Sequence, residues 1–216
     1  MSQSMILSFF GGVSQDGSSW MADFDRVLYE LARWLLPIGI CLLAEGVWLE
    51  TWRKVELLAC YRYVTVRKWW RQKFARVLLW GVWMGAALFL VAMAADLFTA
   101  RGFAAEGWKV FLLWLAHIIT IMIFFLVLDM AGLGRGAPAI LLLLEGGTFL
   151  MGFSNIRIAG GMYGMWGMYF QSEWYFGETG ISVPASLITE LALVVFSYLA
   201  GGILLARKAG MNGTCQ

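Results

Sequence analysis

Chemistry in this chain has few places to sit, because ionisable side chains inside its long apolar stretches are rare: Glu45, His117, Asp129, Glu145 and Glu190. A charge in hydrocarbon is costly. Such residues face the protein interior or a water-filled cavity, pair with one another, or mark an ion or substrate path. Glu45, Glu145 and Glu190 lie deepest. They could line a polar path, pair with a basic group of a second subunit, or sit protonated. Asp129, like Asp96, stands near the end of an apolar stretch, where solvation is the simpler expectation. His117 is the only histidine. Haem ligation inside a bilayer commonly uses two, so His117 reads as a core histidine bonded to a neighbouring helix. The three cysteines, Cys41, Cys60 and Cys215, form no metal or redox spacing and read as reduced structural thiols. No phosphate-cradling GxxxxGK[ST], GxSxG or HExxH string occurs, so no catalytic, cofactor-binding or metal-binding residue is assigned.

The elements that must position these residues are membrane helices. The chain is 61% hydrophobic and only 14% charged, with mean hydropathy +0.73. A soluble core of 216 residues cannot hide that much apolar side chain behind so few charges. Five stretches are apolar enough to span: Arg33 to Glu50, Val77 to Phe98, Trp108 to Ala131, Pro138 to Phe153 and Pro184 to Ala206. The fold class expected is an all-α, polytopic transmembrane bundle in one domain over 1–216. It has five spans, or six if the N-terminal segment 1–32 inserts. The Met5 to Phe10 patch in that segment is too short to cross, and no basic stretch makes it a cleavable leader.

Orientation follows from Lys and Arg near the span ends. Eight of the sixteen basic residues lie between the first two spans: Arg53, Lys54, Arg62, Arg67, Lys68, Arg71, Lys73 and Arg76. That segment is expected on the cytoplasmic side, with the N-terminus outside and the C-terminus inside. Trp34, Trp48, Trp52, Trp69, Trp70, Trp80 and Trp108 suit an interfacial belt. Within 52–76, Leu57, Leu58, Tyr61, Val64 and Thr65 recur at helical spacing, with the basic residues mostly elsewhere on the wheel. This predicts an amphipathic helix on the cytoplasmic surface. It either anchors the chain to anionic lipid or docks a cytoplasmic partner.

The string R-Y-x-x-x-R-K-W-W-x-x-K (Arg62, Tyr63, Arg67, Lys68, Trp69, Trp70, Lys73), set directly before a span, resembles small permease subunits of type-2 ABC exporters from Gram-positive bacteria. In those proteins a similar basic-aromatic connection is the coupling helix that seats in the ATPase. The usual plan places it after two spans, whereas one convincing span precedes it here. The resemblance implies a permease that is not itself an enzyme, with ATP and Mg held by a separate ATPase subunit. It implies export of a peptide, antibiotic or lipid-like substrate, and a second permease chain as partner. The implied docking residues are Leu57, Leu58, Tyr61, Arg62, Arg67, Lys68, Trp69, Arg71 and Lys73; Glu45, Glu145, Glu190 and His117 are the candidates for an intramembrane path. The alternatives are a membrane-embedded binding subunit of a vitamin or metal importer, a membrane enzyme acting on lipid, and an accessory or immunity protein. Nucleic acid is not an expected partner.

The segment 154–183, before the last span, is rich in Gly, Met and aromatics. Irregular backbone is not tolerated against lipid tails. It must therefore pack on the bundle, either as an interfacial lid or as a re-entrant gate whose Met162, Met165 and Met168 offer an adaptable apolar surface. The GVWMG string holding Gly81 and Gly85 reads as helix packing.

Overall fold

The computed structural model describes residues 4–13, 24–62, 66–99, 106–154 and 156–212, without the side chains of 54–62, 66, 154, 156–157 and 208–212. Five long helices dominate: α2 (Phe24–Arg62), α3 (Val66–Phe98), α4 (Gly107–Met130), α5 (Ala137–Ser154) and α8 (Val183–Asn212). Each contains a stretch long and apolar enough to cross a membrane. Their ends follow from local chemistry. Pro138 and Pro184 are each the second residue of their helix, where the missing N–H costs nothing and the fixed φ favours a start. The turn after α4 needs a left-handed residue, and Gly132 supplies it at φ 99°. Short helices complete the chain: α1 (Met5–Phe10), α6 (Ile156–Ala159) and α7 (Glu173–Phe176). Among the described residues there is no strand, only an isolated bridge between Ser172 and Ile181.

The long helices alternate in direction. One end of the bundle, where α2 meets α3, carries the basic residues and is called the basic end below. α4 runs through the centre and is buried around most of its circumference, from Val110 to Met130. The others bury one stripe each. On α2 the stripe is Val27, Leu31, Trp34, Ile38, Cys41, Leu42, Glu45 and Leu49, while Leu36, Ile40, Leu43 and Val47 point outward. That alternation at three and four residues is the signature of a helix with one face on a protein core. The outward apolar side chains suit lipid.

Glycines set the closest approaches. A Cβ on Gly85 would stand 2.7 Å from Leu115, and one on Gly81 would stand 3.3 Å from Met122. The GVWMG string is thus the contact of α3 with α4. On α8, Gly201 makes a notch for Trp70 of α3, where a Cβ would fall 2.3 Å from the indole. The same indole donates from Nε1 to the Tyr198 carbonyl at 2.9 Å.

α1 does not act as a sixth span. It is a short buried plug at the end opposite the basic one. Asp96, expected to be solvated, is buried there. It accepts from Ser4 Oγ at 2.5 Å, from the Met5 amide at 2.6 Å and from the Ile6 amide at 3.1 Å. The carboxylate of one helix end thereby caps the orphan amides that begin another.

The 52–76 segment is helical over most of its length but is shared between two elements. α2 runs on without a break to Arg62, and α3 begins at Val66. The side chains of Leu57, Leu58, Tyr61 and Arg62 lie outside the described residues, as do Cys60 and Cys215.

Gly201→Ala is expected to lower stability by about 1–3 kcal/mol, because the methyl must displace the Trp70 ring. Gly202→Ala, whose Cβ would meet Trp70 at an ordinary 3.4 Å, is expected to be neutral or to stabilise by up to about 1 kcal/mol, the gain of Ala over Gly inside a helix. Unfolding in mixed detergent micelles, followed by far-UV circular dichroism, compares the two.

Candidate functional site

His117 lies fully buried near the middle of α4, and both of its ring nitrogens meet carboxylates. Nδ1 is 2.8 Å from Glu190 Oε1 on α8, and Nε2 is 3.0 Å from Glu145 Oε1 on α5. Glu145 also accepts from the Trp34 indole N–H of α2 at 3.0 Å. One site therefore ties four of the five long helices together. The partners meet because they lie at similar depth: counted from the end opposite the basic one, all three sit about 10 to 15 Å along their helices at 1.5 Å per residue.

The roof of the site is the 154–183 excursion. Its turn Tyr163–Met165 places the Tyr163 ring 4.7 Å from the His117 ring, centroid to centroid, and 5.6 Å from Phe124. Two glycines let the backbone come this close. A Cβ on Gly167 would stand 2.5 Å from His117 Cβ, and one on Gly164 would stand 2.2 Å from the Glu145 carbonyl oxygen. The Gly164 amide donates to Thr148 Oγ1 at 2.9 Å. The excursion thus reaches the middle of α4 and does not merely lie across the helix ends. Its methionines do not share one helical face, since the segment is a series of short turns. Met162 and Met165 pack on Gly152, and Met168 packs on Gly12. The Phe170 amide donates to the Gly11 carbonyl at 2.9 Å and Gln171 Nε2 to the Val13 carbonyl at 2.7 Å, which ties the excursion to the N-terminal plug.

The electrostatics of the site are one-sided. The charges acting on His117 are those of Glu145 and Glu190. Burial and the same two carboxylates push the Tyr163 phenol well above its usual value, which keeps it neutral. Two polar atoms buried in the site have no hydrogen-bond partner: Glu145 Oε2 and Tyr163 Oη. Both imidazole nitrogens of His117 are engaged by the two acidic side chains. Among the described residues no group of three His, Cys, Asp or Glu side chains could hold a metal ion.

Neither a family model, nor a curated protein, nor a solved structure matches the chain. The sites must be read from their own geometry.

Of the intramembrane candidates, Glu145, Glu190 and His117 come together, and Glu45 stands apart. It follows Trp34 by three turns of α2, roughly 16 Å, towards the basic end. Glu45 is fully buried and neither of its oxygens has a hydrogen-bond partner. The charges acting on it are those of Asp129 and Lys73. Asp129, expected to be solvated at its helix end, is instead buried and pairs with Arg53 of α2. Lys73 is buried too, with Nζ 4.8 Å from the Trp69 ring centroid and 3.5 Å from Met130 Sδ.

The remaining docking candidates with described side chains sit on the first turns of α3. Arg67, Lys68 and Arg71 are exposed, and Trp69, Trp70 and Phe74 are buried. An open groove of about 400 Å³ runs beside them, lined by Arg67, Trp70, Tyr198, Gly202 and Ile203.

Tyr163, Trp34 and Gly167 were not singled out as site residues by sequence reasoning. The usable signal was the need of an irregular, charge-poor segment to bury itself, which points to the excursion but not to the residue that touches His117.

Trp34→Phe removes a buried donor from Glu145 and is expected to cost about 1–3 kcal/mol. Tyr163→Phe removes a hydroxyl that has no partner and is expected to be neutral or slightly stabilising. Detergent-unfolding midpoints of the two variants test the contrast.

Proposed function

We propose that the chain is the membrane subunit of a transporter driven by a separate ATPase that binds at the basic end. The observation supporting this is the two-faced start of α3. Arg67, Lys68 and Arg71 point outward, while Trp69, Trp70, Lys73 and Phe74 are buried and Trp70 is seated in the Gly201 notch of α8. A cationic surface fixed in this way moves as one piece with α3 and α8. A partner pulling on it would move two spans against the central α4.

In this reading the basic end faces the cytoplasm of a bacterial plasma membrane, where anionic lipid and the excess of Lys and Arg agree. The excursion then closes the opposite side. Outward apolar residues such as Leu43, Trp83, Leu143 and Leu191 face lipid or a second permease chain, which shares the pathway. The resemblance in the Arg62–Lys73 string supports export, with a peptide, antibiotic or lipid-like molecule as substrate. ATP and Mg belong to the partner.

The double change Arg67→Glu, Arg71→Glu reverses exposed charge and leaves the buried face intact. It is expected to weaken ATPase binding by about a hundredfold or more, as apposed like charges do, while the chain still inserts and folds. Copurification of the tagged chain from native membranes, with mass spectrometry, checks this. Equal ATPase recovery with both chains, or a parent chain that brings no nucleotide-hydrolysing partner, contradicts the proposal.

A further inference from the structure

We propose that the Glu145–His117–Glu190 cluster is an exchangeable proton site, and that its proton content holds the Tyr163–Gly167 part of the excursion closed. This goes beyond the transport reading and does not rest on it.

The ligand follows from the space. The glycine contacts described above press the backbone of 164–167 onto Glu145 and His117, so a bound molecule would first have to displace the excursion. A proton needs no cavity.

The number of protons follows from the contacts. Each imidazole nitrogen lies within hydrogen-bond distance of a carboxylate oxygen, and a hydrogen bond needs one proton between its two heavy atoms. Both contacts are therefore made only when the three groups hold at least two protons. An imidazolium between two carboxylates satisfies this, as does a neutral imidazole that donates to one carboxylate and accepts from a protonated carboxyl. A third proton can sit on a carboxyl without breaking either contact. Release of one of two protons to water leaves a nitrogen lone pair facing a carboxylate lone pair in a buried site. One contact must then break and the freed group must find water. The route is through the excursion, because α4, α5 and α8 hold the other sides.

The groups that face His117 are few. α5 brings Glu145, α8 brings Glu190 and the excursion brings the neutral Tyr163 phenol. α2 brings only the Trp34 indole, and among the described residues no charge from α1 or α3 acts on it. No Lys or Arg there can compensate for a lost proton.

Because His117 is the only histidine, its ring nitrogens can be watched alone in the full chain after ¹⁵N-histidine labelling in lipid nanodiscs. Between about pH 5 and about pH 10, which brackets ordinary carboxyl and imidazole titration, nitrogen shifts are recorded together with amide hydrogen exchange of residues 160–172. The protected centre of α4 serves as reference for the intrinsic rise in exchange. The cluster is expected to lose one proton, which shifts the ring nitrogens whether it leaves the ring or the carboxyl bonded to it, and over the same range exchange of 160–172 relative to α4 rises about tenfold per pH unit, the slope for one linked proton. In Glu190→Gln the amide can donate to Nδ1 without a titrating proton, so relative exchange stays flat. Ring nitrogens that do not change across the range overturn the proposal. So does titration without a rise in relative exchange, or the same rise in Glu190→Gln as in the parent. The parent chain alone decides the first two outcomes if the variant fails to fold.

Discussion

An imidazole in the middle of an apolar bundle must find its hydrogen-bond partners inside the protein, because neither lipid nor close-packed side chains supply them. His117 meets this demand with one carboxylate from α5 and another from α8, and the first of these is held in turn by the Trp34 indole of α2. Much else follows. The helix that carries His117 has to be the central one, so that partners can reach it from three sides. α5 and α8 have to present acidic residues at matching depth. The excursion has to come down far enough to cover a polar site that open helix ends would leave exposed, and its glycines make that descent possible.

The basic end solves the same problem differently. There Asp129 is paired with Arg53, and the buried Lys73 lies between Trp69 and Met130. Arg135 Nη2 adds a bond to Glu50 at 2.9 Å across the loop that follows α4. Arg53–Asp129 and Arg135–Glu50 pair across helix ends. With the Lys73–Met130 contact, they link the ends of α2, α3 and α4. Glu45 stands between the two regions, buried and without a hydrogen bond. The chain thus carries a cationic end and an acidic centre closed by an irregular roof.

Sequence reasoning found all five spans, but α2 and α3 begin at Phe24 and Val66, well before the predicted Arg33 and Val77, and only the later spans were placed closely. The predicted Trp108 to Ala131 and the observed Gly107–Met130 differ by a residue at each end, because hydropathy and the prolines act locally. It placed Glu145, Glu190 and His117 inside spans, but could not say that they meet. His117 and Glu190 are 73 residues apart, and nothing in a helical stripe records which other helix it faces. Counting depth from the span ends would have put all three at one level, and that signal was available. The 52–76 segment was legible as basic, aromatic and largely helical. Its division between α2 and α3 was not, since helical periodicity alone does not mark where one helix hands over to the next. Asp96 and Asp129 looked like residues for solvent because they stand near apolar boundaries. They are buried because the amides of α1 and the guanidinium of Arg53 reach them first.

The central claim is that the excursion enters the bundle and lies against His117. Through-space nuclear magnetic resonance contacts test it directly, using the full chain in lipid with histidine and tyrosine selectively labelled. The structure predicts a contact between the His117 ring and one tyrosine ring that disappears in Tyr163→Leu and persists in variants of the other tyrosines. A His117 ring that shows no tyrosine contact and exchanges freely with water would contradict it.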